Sequence, residues 1–271
     1  MSPGAPGWAI VTGASSGIGR EIARGLARRG YDLVLVGRRL AHLEALASEV
    51  TTCYGICTRL WQVDLGDAHE FARFVDDLQR DAEPVRVLVN NAGFGVYGEF
   101  SETDWDAEAR MIEVHIIAAT RLAKVVCRSM KRRGAGRILN VASMSAFRPG
   151  PLGAVYAATK AYTVSLSESL AEELKGTGVT VTALCPGYTF TDFTRQALRA
   201  QAEPRSPWRA MNADVVAEIG LDAMFSGRRV VAPGIHNRLE LMLIRLLPRR
   251  WMAWLTYRVR AKRMNGDGNG R

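Results

Sequence analysis

Short runs of apolar and β-branched residues recur along the chain and alternate with longer stretches of helical period. Trp8 to Thr12, Asp32 to Val36, Leu60 to Val63, Val85 to Asn90, Arg137 to Val141, Val179 to Leu184 and Arg229 to Ala232 read as strands. Most lack polar alternation, which is the pattern of parallel strands covered on both faces. Helices are predicted over Ile18 to Arg29, Leu40 to Val50, Ala68 to Arg80, Asp104 to Arg133, Val155 to Lys175 and Ala213 to Ser226. Asp67 is placed to cap the third helix, and Gly134 and Gly176 to end the two long ones. Strand–helix alternation of this kind predicts right-handed crossovers and an α/β, Rossmann-like fold with a single doubly wound parallel sheet of about seven strands. No internal linker or repeat interrupts residues 1–235, which read as one domain; residues 236–271 read as a basic amphipathic tail.

Composition narrows this picture. Of 271 residues, 48% are apolar and 23% charged, the proportions of a soluble globular protein. The four cysteines are too few for a disulfide scaffold. Cys53 and Cys57 have no paired Cys or His motif after them, so reduced thiols and no metal site are expected. The first twelve residues lack a basic segment followed by a long apolar one, so no signal peptide is expected. No run reaches the ~18 apolar residues that span a bilayer. The net charge is +9, of which nine Lys/Arg and two Asp/Glu after Ile235 account for +7. The body is nearly neutral, unlike a nucleic-acid reader, which carries basic residues across its folded face.

Candidate chemistry starts at the first strand–helix turn, Thr12-Gly13-Ala14-Ser15-Ser16-Gly17-Ile18-Gly19. Its spacing is T-G-x-x-x-G-x-G. Glycines here let backbone approach a pyrophosphate, which then sits on the positive end of the helix. The second strand ends in Gly37-Arg38-Arg39 where an NAD-type site has a carboxylate. A guanidinium at Arg38 suits the 2′-phosphate of NADP(H). The competing reading leaves both arginines as solvated loop charges. Asp64 follows the third strand and can accept from an adenine amino group. Asn91-Ala92-Gly93 follows the fourth, with small residues leaving room for ribose and Asn91 able to hold neighbouring backbone. Ser143 follows the fifth strand; Tyr156 and Lys160 come next, four residues apart and so on one helix face. An ammonium near the phenol is expected to lower its pKa from ~10 towards neutrality. Tyr156 is then a general acid for a carbonyl oxygen, and Ser143 a hydrogen-bond donor to the same oxygen.

Taken together, these motifs strongly resemble the short-chain dehydrogenase/reductase family from about Ala9 to Gly234, including Pro186-Gly187; the arginines resemble its NADP(H)-preferring members. The resemblance implies hydride transfer between a nicotinamide and a small-molecule carbonyl or alcohol, with Tyr156 as acid/base. It implies that Lys160 also binds the nicotinamide ribose, and that Pro186, Gly187, Thr189 and Thr191 border the nicotinamide. It also implies a cytoplasmic homodimer paired through the two long helices. Reduction is the expected direction, and a non-catalytic dinucleotide-binding regulator is the alternative reading. One position departs from the family pattern. The helix after the fourth strand usually carries Val-Asn, and here it carries Val114-His115. His115 either holds the relay water that the asparagine carbonyl helps hold, or is a satisfied structural histidine.

The loops that shape the substrate site contain Phe94, Tyr97, Phe147, Leu152, Tyr188, Phe190, Phe193 and Trp208, which suggests an apolar substrate. In the tail, Leu239, Met242, Leu243, Leu246 and Leu247 recur at helical spacing. Pro248 should break the helix, and Trp251, Met252, Trp254, Leu255 and Val259 continue the stripe among arginines. Peripheral membrane contact through residues 236–263 fits this composition. A lid over the substrate mouth, or a contact with a partner subunit, fits it as well.

Overall fold

The computed structural model describes residues 6–80, 84–191 and 210–265. Seven parallel strands form one sheet in the order β3-β2-β1-β4-β5-β6-β9. They are β1 (Trp8–Thr12), β2 (Asp32–Gly37), β3 (Thr58–Gln62), β4 (Val85–Asn90), β5 (Gly136–Val141), β6 (Val179–Leu184) and β9 (Val230–Val231). Every residue of β1 and β2 is buried, as unalternating apolar strands require in the middle of a two-faced sheet. The edge strand β3 is half-exposed, and the other edge shrinks to two residues. A second, two-stranded ladder pairs β7 (Thr189–Phe190) with β8 (Met211–Asn212), and no apolar run announces it.

Helices cover both faces. On one, α1 (Gly17–Arg28), α2 (Leu40–Tyr54) and α7 (Ala213–Phe225) pack Ile22, Leu26, Leu43, Leu46 and Leu221 onto Val11, Leu33 and Leu35. On the other, α3 (Ala68–Arg80), the long helix after β4 and α6 (Ala154–Glu173) bring Phe71, Phe74, Leu122 and Leu170 against Ile10, Val34, Leu88 and Ile138. Asp67 caps α3, its Oδ1 accepting from the His69 and Glu70 N–H groups, and this holds its carboxyl below the usual range.

The long helix is not continuous. It comprises α4 (Trp105–Ile112), a π-helical turn over Glu113–Ala118 and α5 (Ala119–Arg132). The π turn carries Val114-His115 and aims the imidazole at the site. A wider turn of this kind commonly marks a functional position within an α-helix. The order in which strands are added reverses between the parallel neighbours β1 and β4, so a crevice opens at the carboxyl ends of these strands. Two further helices, α8 (Ile235–Leu246) and α9 (Arg249–Asn265), follow β9 and are separated at Pro248.

Candidate active site

The glycine turn lies in that crevice. Gly13 and Gly17 have φ of +66° and +56°, a region that only glycine enters freely. The Asn91 amide donates to Thr12 O (3.0 Å) and Gly13 O (3.3 Å), and Thr12 Oγ1 accepts from the N–H groups of Asn91 and Ala92. A Cβ at Gly19 would stand 2.2 Å from Asn91 Nδ2, so this clamp needs glycine there. Ser16 makes no side-chain cap to α1, which leaves first-turn N–H groups at the helix's positive end for an anion. Ser15 is buried, Ser16 and Ile18 are half-buried, and Thr191 lies beside Gly17. These features fit a dinucleotide phosphate.

Arg38 is 65% exposed at the end of β2, with Nη1 3.9 Å from Asp64 Oδ2. Arg39 reaches back to Ser15 Oγ (3.3 Å), so both guanidiniums border the turn. Arg39 thus stands beside Arg38, the residue expected at the 2′-phosphate. Asp64 was assigned to adenine; here its Oδ2 is ion-paired with Arg110, and its Oδ1 accepts from Gly66 N–H at 2.9 Å.

Ser143, Tyr156 and Lys160 converge at the carboxyl end of β5. Ser143 opens a 3₁₀ turn over Met144–Phe147, and its Oγ accepts from Ser145 N–H. Tyr156 is buried, and its phenol oxygen is hydrogen-bonded to Ser143 and to Tyr97. Burial raises the Tyr156 pKa above its ordinary value, and the Ser143 hydrogen bond, the Arg260 charge and the Tyr97 hydrogen bond offset this only in part. That direction is opposite to the one expected from Lys160. Burial is the dominant cause; Lys160 Nζ itself donates to Val141 O at 3.0 Å and lies 5.9 Å from the Tyr156 ring centre. Burial also brings Lys160 itself down to about 8. Tyr97 was expected only as a substrate wall. It also contacts Tyr156, its phenol pushed far up by burial and its ring 5.5 Å from that of Tyr156.

His115 is 4% exposed, and both ring nitrogens are engaged. Nε2 accepts from Phe94 N–H (3.1 Å), and Nδ1 lies 2.9 Å from Thr159 Oγ1. The single Thr159 hydroxyl proton goes to Tyr156 O (2.8 Å), so Thr159 accepts and Nδ1 carries the ring proton. Burial, followed by Lys160, holds His115 well below 6.5 and keeps it neutral. The ring therefore ties the Phe94 loop to the helix carrying Tyr156, and its nitrogens are committed to protein rather than to a relay water. Gly93 accommodates the ring: a Cβ there would stand 2.5 Å from Nε2. Beside Lys160, Thr12, Asn90, Val141 and Thr163 help line a cavity of about 20 Å³, room for one water. Asn90 is buried, and its Oδ1 accepts no bond from the described residues.

Pro186 O accepts from Met144 N–H (2.9 Å), which fixes the Ser143 turn. Gly187 packs against Asn237, and Thr189 Oγ1 donates to Gly187 O (3.2 Å). Leu152 has φ +59°, a strained conformation for a branched residue, one position before Gly153, which packs against the Tyr97 ring. Phe193 and Trp208 lie outside the described residues.

The sequence model for short chain dehydrogenases matches residues 7–202. The chain belongs to the short-chain dehydrogenase family. It is 31% identical over 233 residues to a very-long-chain 3-oxoacyl-CoA reductase of Anas platyrhynchos, covering 84% of this chain and 73% of that one. Among solved structures it resembles a short-chain dehydrogenase from Sphingobium yanoikuyae in complex with NADPH, with 32% identity, TM-score 0.79 and coverage of 87% and 92%. It also resembles the bulky-bulky ketone specific alcohol dehydrogenase of Comamonas testosteroni, with 30% identity, TM-score 0.75 and coverage of 89% and 92%. As a short-chain dehydrogenase it is an oxidoreductase acting on CH–OH and C=O groups, with a nicotinamide cofactor. The comparisons give the non-catalytic reading no support.

Proposed function

We propose that this short-chain dehydrogenase is an NADPH-dependent reductase of an apolar ketone. The observation that carries the reading is the Tyr156 phenol, buried and bonded to Ser143 at the carboxyl end of β5, with Lys160 one helical turn on. When bound, the dinucleotide supplies the hydride. Ser143 orients the carbonyl oxygen by a hydrogen bond, and Tyr156 gives it a proton. The raised pKa of Tyr156 keeps the phenol protonated near pH 7, the state that reduction requires. Lys160 holds the nicotinamide ribose. Pro186, Gly187, Thr189 and Thr191 border the nicotinamide, and Ala92 and Gly93 the ribose. Arg38, exposed at the end of β2, favours the 2′-phosphate of NADPH over NADH.

Phe94, Tyr97, Phe147 and Phe190, carried by the segments that follow β4, β5 and β6, favour a ketone flanked by hydrocarbon. The substrates printed for the Anas and Comamonas relatives, a 3-oxoacyl thioester and bulky ketones, agree in this respect. Four free cysteines, two of them exposed, suit a reducing compartment such as the cytoplasm. Ile117 and Tyr162 are exposed on the helices that follow β4 and β5, which meet where Thr120 Oγ1 lies 3.0 Å from Tyr162 OH. They offer a face for a homodimer.

The test is NADPH oxidation across ketones graded in chain length and ring size, with Tyr156→Phe as control. Turnover that collapses in the variant supports the mechanism. Equal rates for the two proteins exclude Tyr156 as the acid.

A further inference from the structure

Eighteen large apolar side chains are exposed among the described residues, and ten of them fall between Ile235 and Val259. The helices α8 and α9 are thus amphipathic in an unusual sense. Their inner side is anchored: Met252 and Thr256 are buried, Arg148 is ion-paired with Glu240, and Asn237 packs on Gly187. Arg260 Nη1 donates to Pro151 O (2.8 Å), and its guanidinium lies 5.8 Å from the centre of the Tyr97 ring. Their outer side presents Leu239, Met242, Leu243, Trp251, Trp254 and Leu255, each 48–64% exposed. Arg249, Arg250 and Arg258 are exposed among them, and the Arg258 guanidinium sits 4.2 Å over the Trp254 ring.

We propose that α8 and α9 dock in the plane of an anionic lipid surface, and that this docking presents the mouth beside Tyr97 to apolar substrate dissolved in the bilayer. The second half rests on the reductase reading above; the first does not. Tryptophan and leucine among arginines suit the boundary between headgroups and acyl chains, where the aromatic body is buried and the cation meets lipid phosphate. No described helix is long and apolar enough to cross a membrane, so an in-plane pose is the one available to these two. Charge argues against a second copy of the chain as the occupant. A two-fold contact through this face would set two segments of +7 against each other. The same +7 complements an anionic surface, which the nearly neutral body does not.

The lid and membrane readings are therefore the two sides of one element. Its inner side closes on Pro151 and Tyr97, and its outer side meets lipid.

The test is co-sedimentation of the full chain with vesicles of phosphatidylcholine alone or mixed with phosphatidylglycerol. We expect pelleting on the mixed vesicles at low salt, release at high salt, and little pelleting on phosphatidylcholine. Two exposed-face variants follow, Trp251→Ser/Trp254→Ser/Leu255→Ser and Arg249→Glu/Arg250→Glu/Arg258→Glu. The first should lose most binding, and the second should lose at least about 100-fold in partition coefficient, from three lost cations at ~1 kcal/mol each before carboxylate repulsion is added. Both should keep wild-type thermal stability and wild-type turnover of a water-soluble ketone without vesicles. Absence of wild-type pelleting, or pelleting indifferent to lipid charge, overturns the docking. Variants that fall apart from a dimer to a monomer in sedimentation, with lipid binding unchanged, assign the face to a second copy and overturn it too. For a ketone with a long acyl tail, mixed vesicles should raise kcat/KM for the wild type and not for the variants. Pelleting without that increase overturns the substrate half, whereas no turnover of any ketone overturns the reductase reading and leaves the lipid contact standing.

Discussion

Replacing His115 by leucine separates a positioning role from a proton relay. The ring accepts from Phe94 N–H and donates to Thr159 Oγ1. Leucine fills similar space and offers neither group. The half-buried Phe94 N–H then loses its acceptor, at a cost of about 1–2 kcal/mol, in the lower part of the range for such groups. Thr159 keeps its bond to Tyr156 O, so little is added there. For a chain of this size that corresponds to a melting temperature lower by about 2–8 °C. The Phe94 loop leads to Tyr97, whose hydroxyl meets Tyr156, so kcat should fall with stability. His115→Asn restores a donor and an acceptor and should recover most of both. Differential scanning calorimetry alongside NADPH turnover measures the two effects. A leucine variant with wild-type melting but slow turnover, restored by added small buffer acids, would refute positioning and reinstate proton transfer.

The buried neutral ring also sets a pH dependence. Unfolded, His115 takes up a proton near 6.5; folded, it does so only well below that. The unfolded state therefore binds more protons as the pH drops below about 6.5, and stability falls with it. The stability deficit of His115→Leu should shrink in the same window.

Arg38→Asp should raise the NADPH KM about 10- to 100-fold and the NADH KM far less, because a pairing worth ~1.5–3 kcal/mol becomes a repulsion; equal use of the two cofactors by the wild type would contradict the pairing. Lys160 titrates at about 8 when folded and near 10.5 when unfolded, so the unfolded state holds the extra proton between those values. Lys160 alone contributes a rise across that interval. In urea titrations the stability difference between wild type and Lys160→Met should therefore shift towards the wild type between about pH 8 and 10.5, whatever slope the raised Cys185, Tyr97 and Tyr156 give both proteins. Tyr97→Phe removes a donor to the Tyr156 phenolate and should slow alcohol oxidation about tenfold near pH 8 with less effect on ketone reduction. Equal losses in the two directions would show that Tyr97 acts on substrate binding instead.

The sheet was legible because its signal is local and repeated. Val34, Leu35 and Val36, or Val87, Leu88 and Val89, have no polar alternation, and that pattern fits only strands covered on both faces. The glycine turn was legible for a related reason: phosphate approach demands residues without side chains at fixed spacing. The break in the helix after β4 had no such mark. Glu113 to Ala118 continues a good helical pattern, and the π turn becomes visible only when His115 finds Phe94 N–H and Thr159. The sequence contained the anomaly, Val114-His115, but not the partners 21 and 44 residues away that decide its meaning.

The same distance problem explains the electrostatics at Tyr156. Four-residue spacing puts Lys160 on the same helix face, but it does not show the burial that sets the phenol's pKa, nor the Val141 carbonyl, 19 residues upstream, that Lys160 Nζ bonds. Spacing likewise gave the tail a stripe and a charge without saying which side was covered. Arg260 on Pro151, 109 residues away, fixes the inner side and so leaves Trp251, Trp254 and Leu255 facing out. Residues that act through long-range partners are thus the ones that composition and period leave ambiguous. In this chain they are His115, Tyr97 and Arg260. His115 bonds the start of the loop that carries Tyr97, the Tyr97 hydroxyl bonds Tyr156, and the Arg260 guanidinium lies over the Tyr97 ring. The protein departs from the usual Val-Asn pattern at one end of that chain of contacts and carries its basic tail at the other. A change at His115 or at Arg260 is therefore expected to be felt at the same phenol, whereas the outward-facing tail residues lie outside that chain of contacts.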